Sequence, residues 1–103
     1  ENYTVSQLTS QVISEWGSGN FNSEPDDEHH EANLLMLDSS KAIEKLDWNP
    51  VYSVKETVGK TISWYKEFFQ GLGYDHIQEF TQNQILEYVE HAKKMNIVWA
   101  SNI

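Results

Sequence analysis

Apolar residues recur along this chain in short phased runs separated by polar breaks, and the phasing changes from one run to the next. Val5, Leu8, Val12 and Trp16 follow one another at spacings of three and four, the mark of a one-sided helix, and Thr4-Val5-Ser6-Gln7 has the form of a capping box. Gly17, suited to the left-handed position after a last turn, ends that helix, and Ser18-Gly19-Asn20 continues as turn. From Phe21 to Glu31 the chain is polar, holding Pro25 and a run of acids, and reads as a surface loop. Leu34-Leu35-Met36-Leu37 is then an unbroken apolar run between Asn33 and Asp38, short enough for a strand buried on both faces.

Asp38 or Ser39 can cap a short helix with Ala42, Ile43 and Leu46 on its apolar side, broken by Asp47-Trp48-Asn49-Pro50. Ser53-Val54-Lys55-Glu56 is a second capping box. Behind it Val54, Val58, Ile62, Tyr65 and Phe69 fall at four, four, three and four, with Trp64 and Phe68 widening the face and Gly71-Leu72-Gly73 closing the helix. A third box, Thr81-Gln82-Asn83-Gln84, predicts another helix with Ile85, Tyr88, Val89 and Ala92 inward. Lys93 and Lys94 near its end complement the dipole. The tail Ile97-Val98-Trp99-Ala100 fits neither period cleanly. The expected class is therefore α/β but mostly helical, about four helices with one or two short strands.

Charge narrows the field. The net charge of -9 comes from 16 acidic residues against seven lysines, with no arginine, and no Lys precedes position 41. That argues against nucleic acid, where affinity comes from cations displacing phosphate counterions. No run approaches a membrane span and no signal sequence is visible, so no membrane partner is expected. The absence of cysteine rules out disulfides and thiolate sites and suits a cytoplasmic protein. A chain of 103 residues opening on Glu1 is one partial domain's worth and is read as a fragment.

The chemistry in the sequence is that of binding. Gly17-Ser18-Gly19 and Gly71-Leu72-Gly73 follow helices, not strands, and so read as helix stops instead of dinucleotide loops. None of Tyr3, Tyr52, Tyr65, Tyr74 and Tyr88 has a Lys four residues on, so no local Tyr-Lys proton-transfer pair exists and no catalytic residue is assigned. The cluster Glu24-Pro25-Asp26-Asp27-Glu28-His29-His30-Glu31 has metal-binding composition, but adjacent histidines diverge in extended backbone, and no metal ligand is assigned. His76 and His91 are expected on a helix face or the surface. His30, Glu31 and Asn33 stand at the mouth of the presumed strand, where side chains can face a pocket; a merely polar strand end is the plainer reading. Trp48, Pro50, Trp64 and Tyr65 invite sugar stacking, but their turn and helix positions favour packing.

The order of motifs adds something composition does not. His30-Glu31-Ala32, then Leu37-Asp38 with Ser40-Lys41-Ala42, then Leu46-Asp47-Trp48-Asn49-Pro50, then Thr61 to Trp64-Tyr65 resembles the substrate-domain end of extended short-chain dehydrogenase/reductases, most closely the CDP-glucose 4,6-dehydratases. The likeness runs from about Tyr3 to Phe69, and Gln84-Ile85 to Tyr88 resembles the family's terminal helix. Asp47 departs from it, standing where a Gly commonly precedes the Trp, and the missing arginines depart from what a pyrophosphate prefers.

The resemblance implies a division into a substrate-domain-like part, residues 1 to 70, and a helical extension, residues 71 to 103. It implies a parent lyase of polysaccharide biosynthesis, using NAD held by an N-terminal Rossmann domain that is a partner missing from this chain. Such an enzyme oxidises the hexose C4, eliminates water across C5 and C6, and makes a 4-keto-6-deoxy sugar nucleotide. His30, Glu31 and Asn33 would then serve the nucleotide side of the substrate, and no cofactor would be held by this chain. Self-association is expected wherever apolar surface stays uncovered. Two other classes fit the residues: a small helical interaction module using the faces of Val54 to Phe69 and Ile85 to Ala92, and an acidic metal-binding domain using residues 24 to 31.

Overall fold

The computed structural model describes residues 2–22 and 37–103, which form the helices α1 (Val5–Trp16), α2 (Ser40–Leu46), α3 (Val54–Phe69) and α4 (Tyr74–Lys94) and a terminal 3-10 turn, Val98–Asn102. The chain divides into two compact units, Glu1–Trp48 and Asn49–Ile103.

In the first unit both ends of α1 form as its sequence dictates. The Thr4 hydroxyl accepts the Gln7 backbone N–H at 3.1 Å, and Gln7 Oε1 accepts the Thr4 N–H at 2.8 Å. Gly17 takes φ 100° and returns its N–H to the Ile13 carbonyl at 2.9 Å. At α2 the residue that satisfies the helix start is Asp38: its Oδ1 accepts the Ser40 backbone N–H at 3.0 Å and the Ser40 hydroxyl as well. Those bonds favour the carboxylate and hold Asp38 below its ordinary pKa. Asp47 ends α2 in the left-handed region, φ 50° and ψ 35°, the conformation that a Gly at this turn would take without strain.

The second unit is an αα-hairpin with a folded-back tail. Ser53 and Glu56 form a reciprocal cap on α3, Ser53 Oγ to Glu56 N and Glu56 Oε1 to Ser53 N, both at 3.1 Å. After α3, Gly71 and Gly73 take φ 69° and 100°, and α4 begins at once with Gly73 as its N-cap. Asn96, at φ 59°, then turns the chain so that Ile97 and Ala100 pack with Val51 and Ala92. Tyr52 and Tyr88 rest against this cluster. Ala92 and Ala100 are both fully buried, and their small side chains let the 3-10 turn approach α4 closely.

Two expectations change, and a third falls largely outside the described residues. α4 runs unbroken from Tyr74, so Thr81 opens no helix; its hydroxyl donates to the Ile77 carbonyl at 2.7 Å, an interior Thr bond. Of the inward set proposed for α4, Ala92 is buried and Tyr88 and Val89 are half-buried, whereas Ile85 is exposed. The α/β expectation rested on Leu34–Leu37: Leu34, Leu35 and Met36 lie outside the described residues, and Leu37 belongs to no strand and is 96% exposed. A short apolar run reads the same whether a sheet receives it or not, and the described residues are helical with no strand among them. None of their helices is long and apolar enough to cross a membrane.

Candidate functional site

His30, Glu31 and Asn33 lie outside the described residues, as does the acidic run 24–31. Among the described residues no group of three or more His, Asp or Glu side chains is placed to hold a metal ion. What the structure does assemble is a groove of about 580 Å³ along the hairpin, with Tyr52, Glu56 and Lys60 on one wall and Glu87, His91 and Lys94 on the other.

The groove follows from how α3 and α4 meet. Working along the antiparallel pair, Glu67 Oε1 meets His76 Nε2 at 2.6 Å and the Trp64 indole N–H donates to Thr81 Oγ1 at 2.7 Å. The Lys60 carbonyl accepts from Gln84 Nε2 at 2.9 Å, Lys60 Nζ donates to Glu87 Oε2 at 2.6 Å, and Glu56 Oε2 lies 3.6 Å from His91 Nε2. At about 100° per residue, Glu56, Lys60, Trp64 and Glu67 lie on the side of α3 opposite Val54, Val58, Ile62, Tyr65 and Phe69. α4 therefore grips the polar side of α3. Of the apolar stripe, Val58 and Ile62 are buried, while Tyr65 and Phe69 stand exposed at the C-terminal end.

Rings and charges fix the groove's upper end. Tyr52 meets Tyr88 edge-on at 5.1 Å and His91 at 5.2 Å, and Tyr88 stacks on Trp99 at 6.1 Å. Burial chiefly pushes the Tyr52 phenol above its ordinary pKa, outweighing the nearby Lys60 charge. The hydrogen bond to Glu87 chiefly raises Lys60, and the Ser53 backbone N–H chiefly lowers Glu56. A Tyr-Lys pair that moves protons needs a phenol driven down toward neutrality. Tyr52 and Lys60 are both shifted the other way, the direction that favours a neutral phenol and a charged amine.

The remaining candidates fall into place around these contacts. His76 and His91 are half-exposed helix-face residues tied to carboxylates of α3. Trp64 is a packing residue with its polar edge satisfied by Thr81, but it packs on the side of α3 that meets α4 and not on the apolar face it was expected to widen, and Trp48 and Tyr65 keep nearly half their surface exposed. The Gly17, Gly71 and Gly73 positions all adjoin helix ends, at positive φ values that suit helix stops. Sequence reasoning passed over the groove itself. Its signal was a second stripe on α3, Glu56, Lys60, Trp64 and Glu67 at four, four and three, which matches the helical period as well as the apolar one does.

Among known proteins, the chain is 32% identical over 69 residues to the CDP-glucose 4,6-dehydratase of Salmonella typhimurium, a match that takes in 66% of this chain and 19% of that enzyme. The chain thus spans about a fifth of the length of the curated relative it matches. No family model matches, and no solved structure matches significantly. The similarity is thus to one segment of a nucleotide-sugar dehydratase.

Proposed function

We propose that this chain is the substrate-side, C-terminal portion of a nucleotide-sugar 4,6-dehydratase acting on CDP-glucose or a close analogue. The observation that carries the reading is the 32% identity over 69 residues to a CDP-glucose 4,6-dehydratase. Local structure supports it at the motif that departs from the family: Asp47 adopts the left-handed conformation that the Leu-x-Trp-x-Pro turn requires of its usual Gly. In this reading the nicotinamide cofactor and the proton-transfer residues belong to the rest of the parent enzyme. This chain supplies binding and orientation, which raise the effective concentration of the reacting hexose. His30 and Asn33 hydrogen-bond the base, ribose or phosphate, and Glu31 serves hydroxyl groups.

The test uses the full-length protein in which this sequence occurs, supplied with NAD and CDP-glucose. It forms a 4-keto-6-deoxy product, and His30→Ala, Glu31→Ala and Asn33→Ala raise KM while kcat at saturation changes less, the pattern of uniform binding. Losing one hydrogen bond to an uncharged group costs about 0.5–1.5 kcal/mol, and up to about 3 kcal/mol where the partner is phosphate. Absence of product from the full-length protein overturns the dehydratase reading. Wild-type KM in all three variants overturns the pocket assignment.

A further inference from the structure

We draw no further inference here: the strongest candidate, the hollow of about 400 Å³ at the turn from α3 into α4, is lined by Glu67 and His76, which already pair with each other at 2.6 Å, and by the exposed apolar residues Phe68, Leu72 and Tyr74, and nothing in the structure shows what covers it.

Discussion

The Trp64 indole N–H donates to the Thr81 hydroxyl at 2.7 Å, and Thr81 donates its own O–H to the Ile77 carbonyl at the same distance. One side chain thereby ties α3 to α4 while satisfying itself within α4. Thr81→Val keeps the shape and removes the acceptor, leaving a half-buried indole N–H without a partner. The expected loss is about 1–2 kcal/mol of stability in a denaturant melt, with a weakened near-ultraviolet tryptophan signal. Thr81→Ser retains the hydroxyl and is expected to stay within about 0.5 kcal/mol of wild type. Equal losses in both variants would show that the methyl group matters and the bond does not.

The turn after α2 yields a change in the opposite direction. Asp47 holds φ 50°, a conformation that costs an L-residue roughly 1–2 kcal/mol, less for Asp than for most. Glycine takes it freely but brings more unfolded-state entropy. Asp47→Gly is therefore expected to stabilise the α2 turn by a few tenths to about 1 kcal/mol, seen as greater helicity and a higher thermal midpoint. Asp47→Ala, with neither glycine's freedom nor the Asp side chain's local bonding, is expected to lower both.

Legibility differed between these elements for a physical reason. The starts of α1 and α3 and the stops at Gly17 and Asp47 were readable because each is set by residues within four positions of one another. The start of α4 was not. Thr81-Gln82-Asn83-Gln84 matches a capping box, but Thr81 and Gln84 spend their polar groups on α3, and the helix had already begun at Gly73 with no side-chain cap to announce it. The groove was hidden likewise, since Glu56, Lys60, Glu87 and His91 come together only through hairpin packing. His30, Glu31 and Asn33 rest on motif order alone, which places them in a sequence pattern and gives no geometry.

Three shifted groups in the second unit contribute to its pH dependence. Glu56 is held below its ordinary pKa by the Ser53 backbone N–H, so its contribution is present above the unfolded value of about 4.3 and lost as pH falls through the folded value. Lys60 and Tyr52 are raised, so theirs are present below the unfolded values of about 10 and lost as pH rises through the folded ones. Thermal midpoints are expected to plateau between about pH 5 and 9 and to fall on both sides. Glu56→Gln keeps a capping amide without a charge and flattens the part of the acid limb that Glu56 carries. Lys60→Met flattens the alkaline limb in the same way. An acid limb identical in Glu56→Gln would assign it to other carboxylates.

The tail offers the sharpest contrast between neighbouring residues. Ile97 is buried against Ala92, Ala100 and Val51, whereas Val98, one position on, is exposed. In a core with so few members, each methyl group carries a large share. Ile97→Ala is expected to cost about 2–4 kcal/mol, the transfer loss plus a cavity that the two alanines cannot collapse to fill. Val98→Ala should stay within about 0.5 kcal/mol. Ala100→Leu tests the same packing from the other direction. Extra methylenes where the 3-10 turn presses on α4 force the two apart, at about 1–3 kcal/mol. Chemical denaturation of the three variants checks all of this together. Equal midpoints for Ile97→Ala and Val98→Ala would mean that the tail does not close the hairpin's core.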